Sequence, residues 1–137
     1  MAPTYLGVSA KQTSAALKEA KGVTVTVFDG PHPAGNVGVQ INHTAPVNKG
    51  EVVWTLGAEE VIFIGRLFNK GQVDLTRTIA VAGSEVKTPA YARVKVGAQI
   101  ASVLDGRLAE GKNLRIINGN VLTGPATTTE GYLGAFA

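Results

Sequence analysis

The chain has 137 residues, a length that fits one domain or two small ones. It contains no cysteine, which excludes disulfides, thiolate catalysis, iron–sulfur clusters and cysteine-ligated zinc. The net charge is +3, but the basic residues are scattered, so nucleic acid is excluded as a partner. Charged residues make up only 17% of the chain, against about 25% in typical domains. This sparse charge indicates that a partner covers part of the surface.

The first fifty residues predict a strand, a helix and a second strand. Residues 4–8 are short and apolar, Ser9 is the predicted cap of a helix that ends at Gly22, and Val/Thr alternation in Val23–Phe28 predicts the next strand. Two strands joined by a helix predict a parallel crossover, whose faces are normally covered. Two strands alone lack that cover. Either later segments complete the sheet or the chain belongs to a larger protein.

A glycine-rich loop, Gly30–Gly38, follows the second strand. Such loops lie where parallel sheets bind ligands, so His32, Gly35 and Gly38 are candidate ligand contacts. Its prolines remove N–H donors that a phosphate would need, and a rigid turn is the alternative interpretation. Residues 39–43 are compatible with either a short helix or an extended segment.

The middle of the chain predicts a strand over 51–56 with the single tryptophan, Trp54, in the core. Residues 58–68 then predict a helix with acidic residues at its start. The apolar run Val61–Ile64 is equally compatible with a strand. Such a run is far shorter than the roughly 20 residues that span a bilayer, and no signal peptide is visible, so we expect the chain to be soluble by itself.

The later part of the chain is rich in β-branched residues. It predicts a helix over 98–105 and strands over 76–82, 91–96 and 114–117. These elements suggest a compact α+β unit over roughly residues 73–125, followed by a loose tail.

Reactive constellations are not evident. The two histidines, His32 and His43, lack metal-ligand spacing and have no acidic residue between them, so we predict no metal site. A serine with His32 and Asp29 would make a formal hydrolytic triad, but no Gly-x-Ser-x-Gly elbow frames a nucleophile. The residues alone predict no catalytic group.

The order strand, turn, strand, helix in the later part resembles the soluble-ligand-binding β-grasp (SLBB) family. In that family a glycine ends the first strand, a proline opens the second and a glycine precedes the helix. The corresponding residues here are Gly83, Pro89 and Gly97.

Four segments in order sharpen the resemblance. They read Gly-Pro-His-Pro-Ala-Gly, Gly-Arg-Leu-Phe, Arg-Thr-Ile-Ala and Gly-Asn-Val-Leu-Thr-Gly, at Gly30–Gly35, Gly65–Phe68, Arg77–Ala80 and Gly119–Gly124. Together they cover nearly the whole chain and closely resemble the NqrA family, the A subunits of the sodium-translocating NADH:quinone oxidoreductase (Na+-NQR). Members of that family are longer, so the resemblance implies an internal piece.

The resemblance implies an α+β fold with four parts. Residues 1–50 would be the end of a Rossmann-like βαβ unit, 51–72 a connecting segment, 73–125 an SLBB β-grasp domain, and 126–137 a flexible tail. This organisation would explain the uncovered crossover.

The resemblance also implies a peripheral subunit on the cytoplasmic side of the bacterial inner membrane. The whole complex passes electrons from NADH to ubiquinone and exports Na+. This chain would bind no cofactor, would have no catalysis of its own, and would act as a scaffold that contacts the other subunits, with quinone as a candidate ligand. Arg66 and Phe68 are the candidates for subunit contacts, although Arg66 is equally compatible with an ordinary helix surface.

Two alternatives stay open. The first is a stand-alone module that binds a small ligand through the Gly30–Gly38 loop. The second is a small hydrolase that uses His32.

Overall fold

The computed structural model describes residues 2–111 and 113–135, and it divides into two compact units that meet in sequence between Thr55 and Leu56. Unit 1 contains β1 (Tyr5–Ser9), α1 (Ala15–Lys18), β2 (Thr24–Phe28) and α2 (Val37–Thr44). Unit 2 contains α3 (Ala58–Lys70), β3 (Thr76–Val81), β4 (Ala90–Lys95), α4 (Ile100–Leu104), β5 (Ile116–Ile117) and β6 (Ala126–Thr127). The mixed composition with small sheets agrees with the predicted α+β class.

Unit 1 is built on a two-stranded parallel sheet, as predicted. β1 pairs with β2 in a register that sets Val8 opposite Val27, and Val8 is buried. The intervening helix is shorter than predicted. It begins at Ala15 rather than after Ser9, because the Ser9 hydroxyl accepts the Lys11 N–H at 3.2 Å. The predicted helix cap at Ser9 is therefore wrong.

The segment after the Gly30–Gly38 loop is helical, which decides between the two interpretations of residues 39–43. Helix α2 approaches β1 at Gly7, where an added Cβ would collide with the Gln40 side chain. The Gln40 amide donates to the Ala34 carbonyl at 3.3 Å. Gly7 therefore lets α2 lie close to the sheet, and Gln40 ties α2 to the loop before it.

The predicted strand over residues 51–56 is wrong. This segment forms no strand, and Trp54, which we expected in the core, is 89% exposed. Alternating apolar residues form a strand only where a neighbouring strand accepts their backbone hydrogen bonds. No such neighbour is present in the described part of the chain, where β1 and β2 pair only with each other.

Unit 2 is organised around the β3–β4 hairpin. The strands are antiparallel with Thr78 opposite Arg93, and β4 begins directly after Pro89, as predicted. The inward residue Val81 packs with Ile100 and Val103 of α4 and with Leu133. Helix α4 lies within the predicted helix over 98–105.

The chain after residue 125 belongs to this core, which corrects the predicted flexible tail over residues 126–135. Strand β6 pairs with β5, and the Leu133 side chain is only 9% exposed. The Leu133 N–H donates to Ala98 at 2.9 Å and its carbonyl accepts from Gly97 at 3.0 Å. One well-placed leucine thus anchors a segment that is otherwise rich in threonine and glycine. Residues 136 and 137 of the predicted tail lie outside the described part.

Candidate functional site

A cavity of about 710 Å³ lies inside unit 2, between β3, α4 and the segment 113–119. Its walls are mainly apolar and include Ile79, Val81, Ile100, Val103, Leu104 and Ile116. Ligand sites typically have volumes of about 300–1,000 Å³ and apolar walls with a few polar groups. The cavity has the size and lining of such a site.

Two polar side chains in the cavity wall carry unpaired atoms. The Arg77 side chain is 8% exposed, donates to Glu59 and to the Ala135 carbonyl, and keeps its Nε without a hydrogen-bond partner among the described residues. The Asn118 amide donates to the Tyr132 carbonyl at 3.1 Å, and its buried Oδ1 has no partner there either. An unpaired buried polar group costs about 1–3 kcal/mol. A ligand that offers an acceptor to Arg77 and a donor to Asn118 would recover that cost.

Arg77 and Asn118 were not among the candidates from sequence. Arg77 begins the Arg-Thr-Ile-Ala segment, and it alternates with Ile79 and Val81 on the inward face of β3. A charged residue in the inward row of a strand is a signal for a buried ion pair or a site. That alternation could have identified Arg77 before the structure was known.

A second feature of unit 2 is the reversed polarity of helix α3. Glu59, Phe63 and Arg66 recur at helical spacing and are half-buried. Glu59 pairs with Arg77 of β3, whereas the Arg66 guanidinium donates to the Thr76 carbonyl and lies 3.8 Å from the Asp74 carboxylate. The helix therefore joins its own unit mainly through charged and polar contacts.

The opposite side of α3 is apolar and exposed. Val61, Ile64 and Phe68, here called the outer face of α3, are 55%, 41% and 83% exposed. Gly65 lies between them, and an added Cβ there would meet no atom within 4 Å. Contiguous exposed apolar groups mark surfaces that another molecule covers.

The two predicted contact residues on α3 therefore differ in their surroundings. Phe68 projects from the outer face and is free to meet a partner. The Arg66 guanidinium is held within unit 2, where it also lies 5.9 Å from the centre of the Phe63 ring. A contact between Arg66 and another subunit stays a prediction.

The candidates in the Gly30–Gly38 loop lie on the surface of unit 1. His32 and Gly38 are exposed and Gly35 is largely so, and a Cβ at Gly35 or Gly38 would meet no atom within 4 Å. The Asp29 carboxylate accepts the Gly30 N–H at 3.0 Å. The loop brings these residues together in sequence, without a wall of neighbouring atoms around its glycines.

Within residues 2–111 and 113–135, no three histidine or acidic side chains come together as metal ligands. Over the same residues, the helices are too short or too polar to cross a membrane.

Comparison with known proteins identifies the relatives of both units. Residues 1–73 match the family model "NqrA second alpha/beta domain", and residues 78–129 match the family model "NQRA C-terminal domain", an SLBB domain. The chain belongs to the NqrA family. The matched ranges place the parallel sheet and α3 in the first NqrA domain and the β3–β4 hairpin with its cavity in the second.

Similar NqrA proteins come from several bacteria. The A subunit of the Na(+)-translocating NADH-quinone reductase of Yersinia pseudotuberculosis is 45% identical over 115 residues, which are 83% of this chain and 26% of the relative. The corresponding subunit of Glaesserella parasuis is 42% identical over 120 residues, and that of Saccharophagus degradans is 39% identical over 131. These matches cover 87% and 95% of this chain, and 27% and 28% of the two relatives. The chain thus spans about a quarter of the length of the curated relatives that it matches.

Proposed function

We propose that this chain is a scaffold region of an NqrA subunit in a Na+-translocating NADH-quinone reductase. The observation that carries the proposal is the reversed polarity of α3, which joins its own unit through Glu59 and Arg66 and leaves its outer face uncovered. A helix in a monomeric protein normally turns its apolar side inward. We infer that the outer face of α3 is covered by another polypeptide of the complex.

The energy available at this face is sufficient for docking. Full burial of a valine, isoleucine or phenylalanine side chain contributes about 1.5–3 kcal/mol, and each of the three residues still exposes at least 41% of its surface. Gly65 leaves room for a neighbouring element to approach the helix backbone closely. The outer face is therefore a suitable anchor for a subunit contact.

In the complex, we propose a peripheral position at the cytoplasmic side of the inner membrane. The complex as a whole would carry electrons from NADH to ubiquinone and export Na+, and this chain would hold no cofactor of its own. Quinone is a candidate ligand of the assembled subunit. The family names of the relatives support this role.

The proposal can be tested in an NqrA subunit that carries this sequence, assembled with its partner subunits in bacterial membranes. Phe68→Ser and Ile64→Ser should each reduce co-purification of the other subunits and Na+-dependent NADH oxidation at least fivefold. Tyr91→Ser is the matched control, because Tyr91 is an exposed aromatic residue on β4. It should leave both readouts unchanged.

Unchanged assembly in both α3 variants would contradict the proposed role of this face. The small-ligand alternative makes a different prediction, which is saturable binding of a ubiquinone analogue or NADH to the chain with shifts of the His32 resonances.

A further inference from the structure

One edge of strand β3 carries unpaired backbone groups. The Val96 N–H donates to the Leu75 carbonyl at 3.3 Å, so the pair 75/96 is a hydrogen-bonded pair of the antiparallel register. Such pairs alternate with pairs whose N–H and C=O groups point away from the partner strand. The backbone groups of Thr76, Thr78 and Ala80 therefore point to the outer edge of β3.

Only the first of these three residues is satisfied. The Thr76 N–H donates to the Asp74 carboxylate at 3.0 Å, and its carbonyl accepts from Arg66. Among the described residues, Thr78 and Ala80 have no corresponding partner at this edge. Both residues line the unit 2 cavity, so their open N–H and C=O groups face a space of about 710 Å³ rather than another strand.

The far wall of this space is the segment 114–118, which ends at Asn118. The edge of β3, the far wall and the apolar floor from α4 together form what we call the edge slot. Its polar complement is Arg77 Nε as a donor and Asn118 Oδ1 as an acceptor, both buried and unpaired among the described residues. The slot therefore offers donors and acceptors on both sides of an apolar floor.

We propose that the edge slot binds an extended apolar peptide segment of a partner polypeptide, which adds to β3 as a further strand. A peptide backbone supplies a carbonyl and an N–H at every residue, which matches the alternating groups of Thr78 and Ala80. Strand addition to a free edge is a recurrent mode of peptide recognition in which backbone bonds give affinity and side-chain pockets give specificity. Side chains that face Ile79, Val81 and Leu104 should be apolar and uncharged.

The two edges of the hairpin differ in a way that supports this assignment. The outer edge of β4 carries Arg93 and Lys95, and charged residues protect exposed edges from unwanted pairing. The outer edge of β3 carries only threonine and alanine at Thr76, Thr78 and Ala80. The hairpin therefore has one charged edge and one edge that is open to a partner strand.

The source of the peptide, another subunit, rests on the proposed function, but the slot can be tested with the chain alone. The probe is acetyl-Thr-Val-Thr-Val-Thr-amide, followed by NMR of the complete 137-residue chain. Binding should slow hydrogen exchange of the Thr78 and Ala80 amides at least tenfold and shift the methyl signals of Ile79 and Leu104. A fully N-methylated version of the peptide should not bind.

The decisive variant is Thr78→Pro. Because the Thr78 N–H points away from β4, proline removes an outward donor without breaking a bond of the hairpin. Arg93→Pro is the matched control, since Arg93 is the register partner of Thr78 and its N–H points to the opposite edge. Thr78→Pro should weaken peptide binding at least tenfold, and Arg93→Pro should leave it within twofold.

Three results would overturn the inference. These are absence of peptide binding to the folded chain, equal loss in the two proline variants, and equally tight binding of N-acetylvaline methylamide. The last result would assign the slot to small amides. None of them would contradict the docking role of the outer face of α3, because that role is measured by subunit co-purification.

Discussion

Arg77 of β3 and Glu59 of α3 form an ion pair that joins the helix to the hairpin. The arginine side chain is almost completely buried, whereas the glutamate side chain is 37% exposed. The same guanidinium donates to the carbonyl of Ala135. One side chain in the cavity wall therefore holds together three segments that are distant in sequence.

Replacing Glu59 should destabilise unit 2. Glu59→Gln removes the charge that compensates the buried guanidinium, and we expect the free energy of unfolding to fall by about 1–2 kcal/mol. The control is Glu110→Gln, because Glu110 is 92% exposed and pairs with Lys87 at 3.3 Å on the surface. Exposed pairs contribute about 0–1 kcal/mol, so urea unfolding should show a smaller change for Glu110→Gln. Equal losses would contradict a structural role of the Arg77–Glu59 pair.

Leu133 should be essential to the core of unit 2. Leu133→Ala removes a side chain that packs with Val81, Ile100 and Val103, and buried leucine-to-alanine changes cost about 2–5 kcal/mol. Leu122→Ala provides the contrast, because Leu122 is 90% exposed, and such surface changes usually stay within about 0.5 kcal/mol. Thermal unfolding followed by circular dichroism would measure both. A flexible segment after residue 125 would instead make the two variants equivalent.

Gly65 and Gly71 should respond in opposite directions to alanine. Gly65 lies inside α3 with open space around it, so Gly65→Ala should stabilise the isolated chain by about 0.5–1 kcal/mol through helix propensity. Gly71 ends the same helix at φ 64°, a left-handed conformation that alanine disfavours by about 1–2 kcal/mol. Chemical denaturation of the two variants tests the pair.

The same Gly65→Ala substitution should weaken assembly of the complex, because the added methyl group lies on the outer face of α3. A variant that is more stable alone and less well assembled would separate folding from docking. Stabilisation with unimpaired assembly would place the subunit contact elsewhere.

Asp74 should make stability depend on acid pH. Hydrogen bonds from Thr76 lower the pKa of the Asp74 carboxyl below its ordinary value of 3.8, with smaller contributions from the charges of Arg66 and Lys70. A lowered pKa in the folded state gives stability that is fully present above the ordinary value and is lost as pH falls through the folded value. The stability difference between the original chain and Asp74→Asn should therefore be constant near neutral pH and shrink below pH 3.8. A difference that grows in acid would contradict this assignment.

Local patterns in the sequence predicted the elements that are stabilised by their own neighbours. The hairpin strands, the glycine-ended helix α3 and the parallel pair β1–β2 follow from alternation, helical spacing and glycine or proline at the boundaries. The segment with Trp54 has the same alternation but lacks a partner strand in the described part of the chain, and no local signal reports that absence. Leu133 likewise shows its importance only when the chain returns to α4.

The candidate site was harder to predict, because it depends on contacts between distant segments. Phe68 could be singled out as an exposed apolar residue of a recognised motif. The cavity needs β3, α4 and residues 113–119 together, and the unpaired atoms of Arg77 and Asn118 follow from the directions of their side chains. The sequence shows which residue types are present but not which of their atoms remain without partners.

The contacts of Arg77 with Glu59 and Ala135 also have a consequence for engineering. They bring the beginning and the end of unit 2 to the same guanidinium, although 76 residues separate Glu59 and Ala135 (135 − 59 = 76). Units with adjacent ends tolerate circular permutation and insertion into host proteins. Unit 2 is thus suited to transplantation as a cassette, with new ends opened in an exposed turn such as the one around Val121 and Leu122.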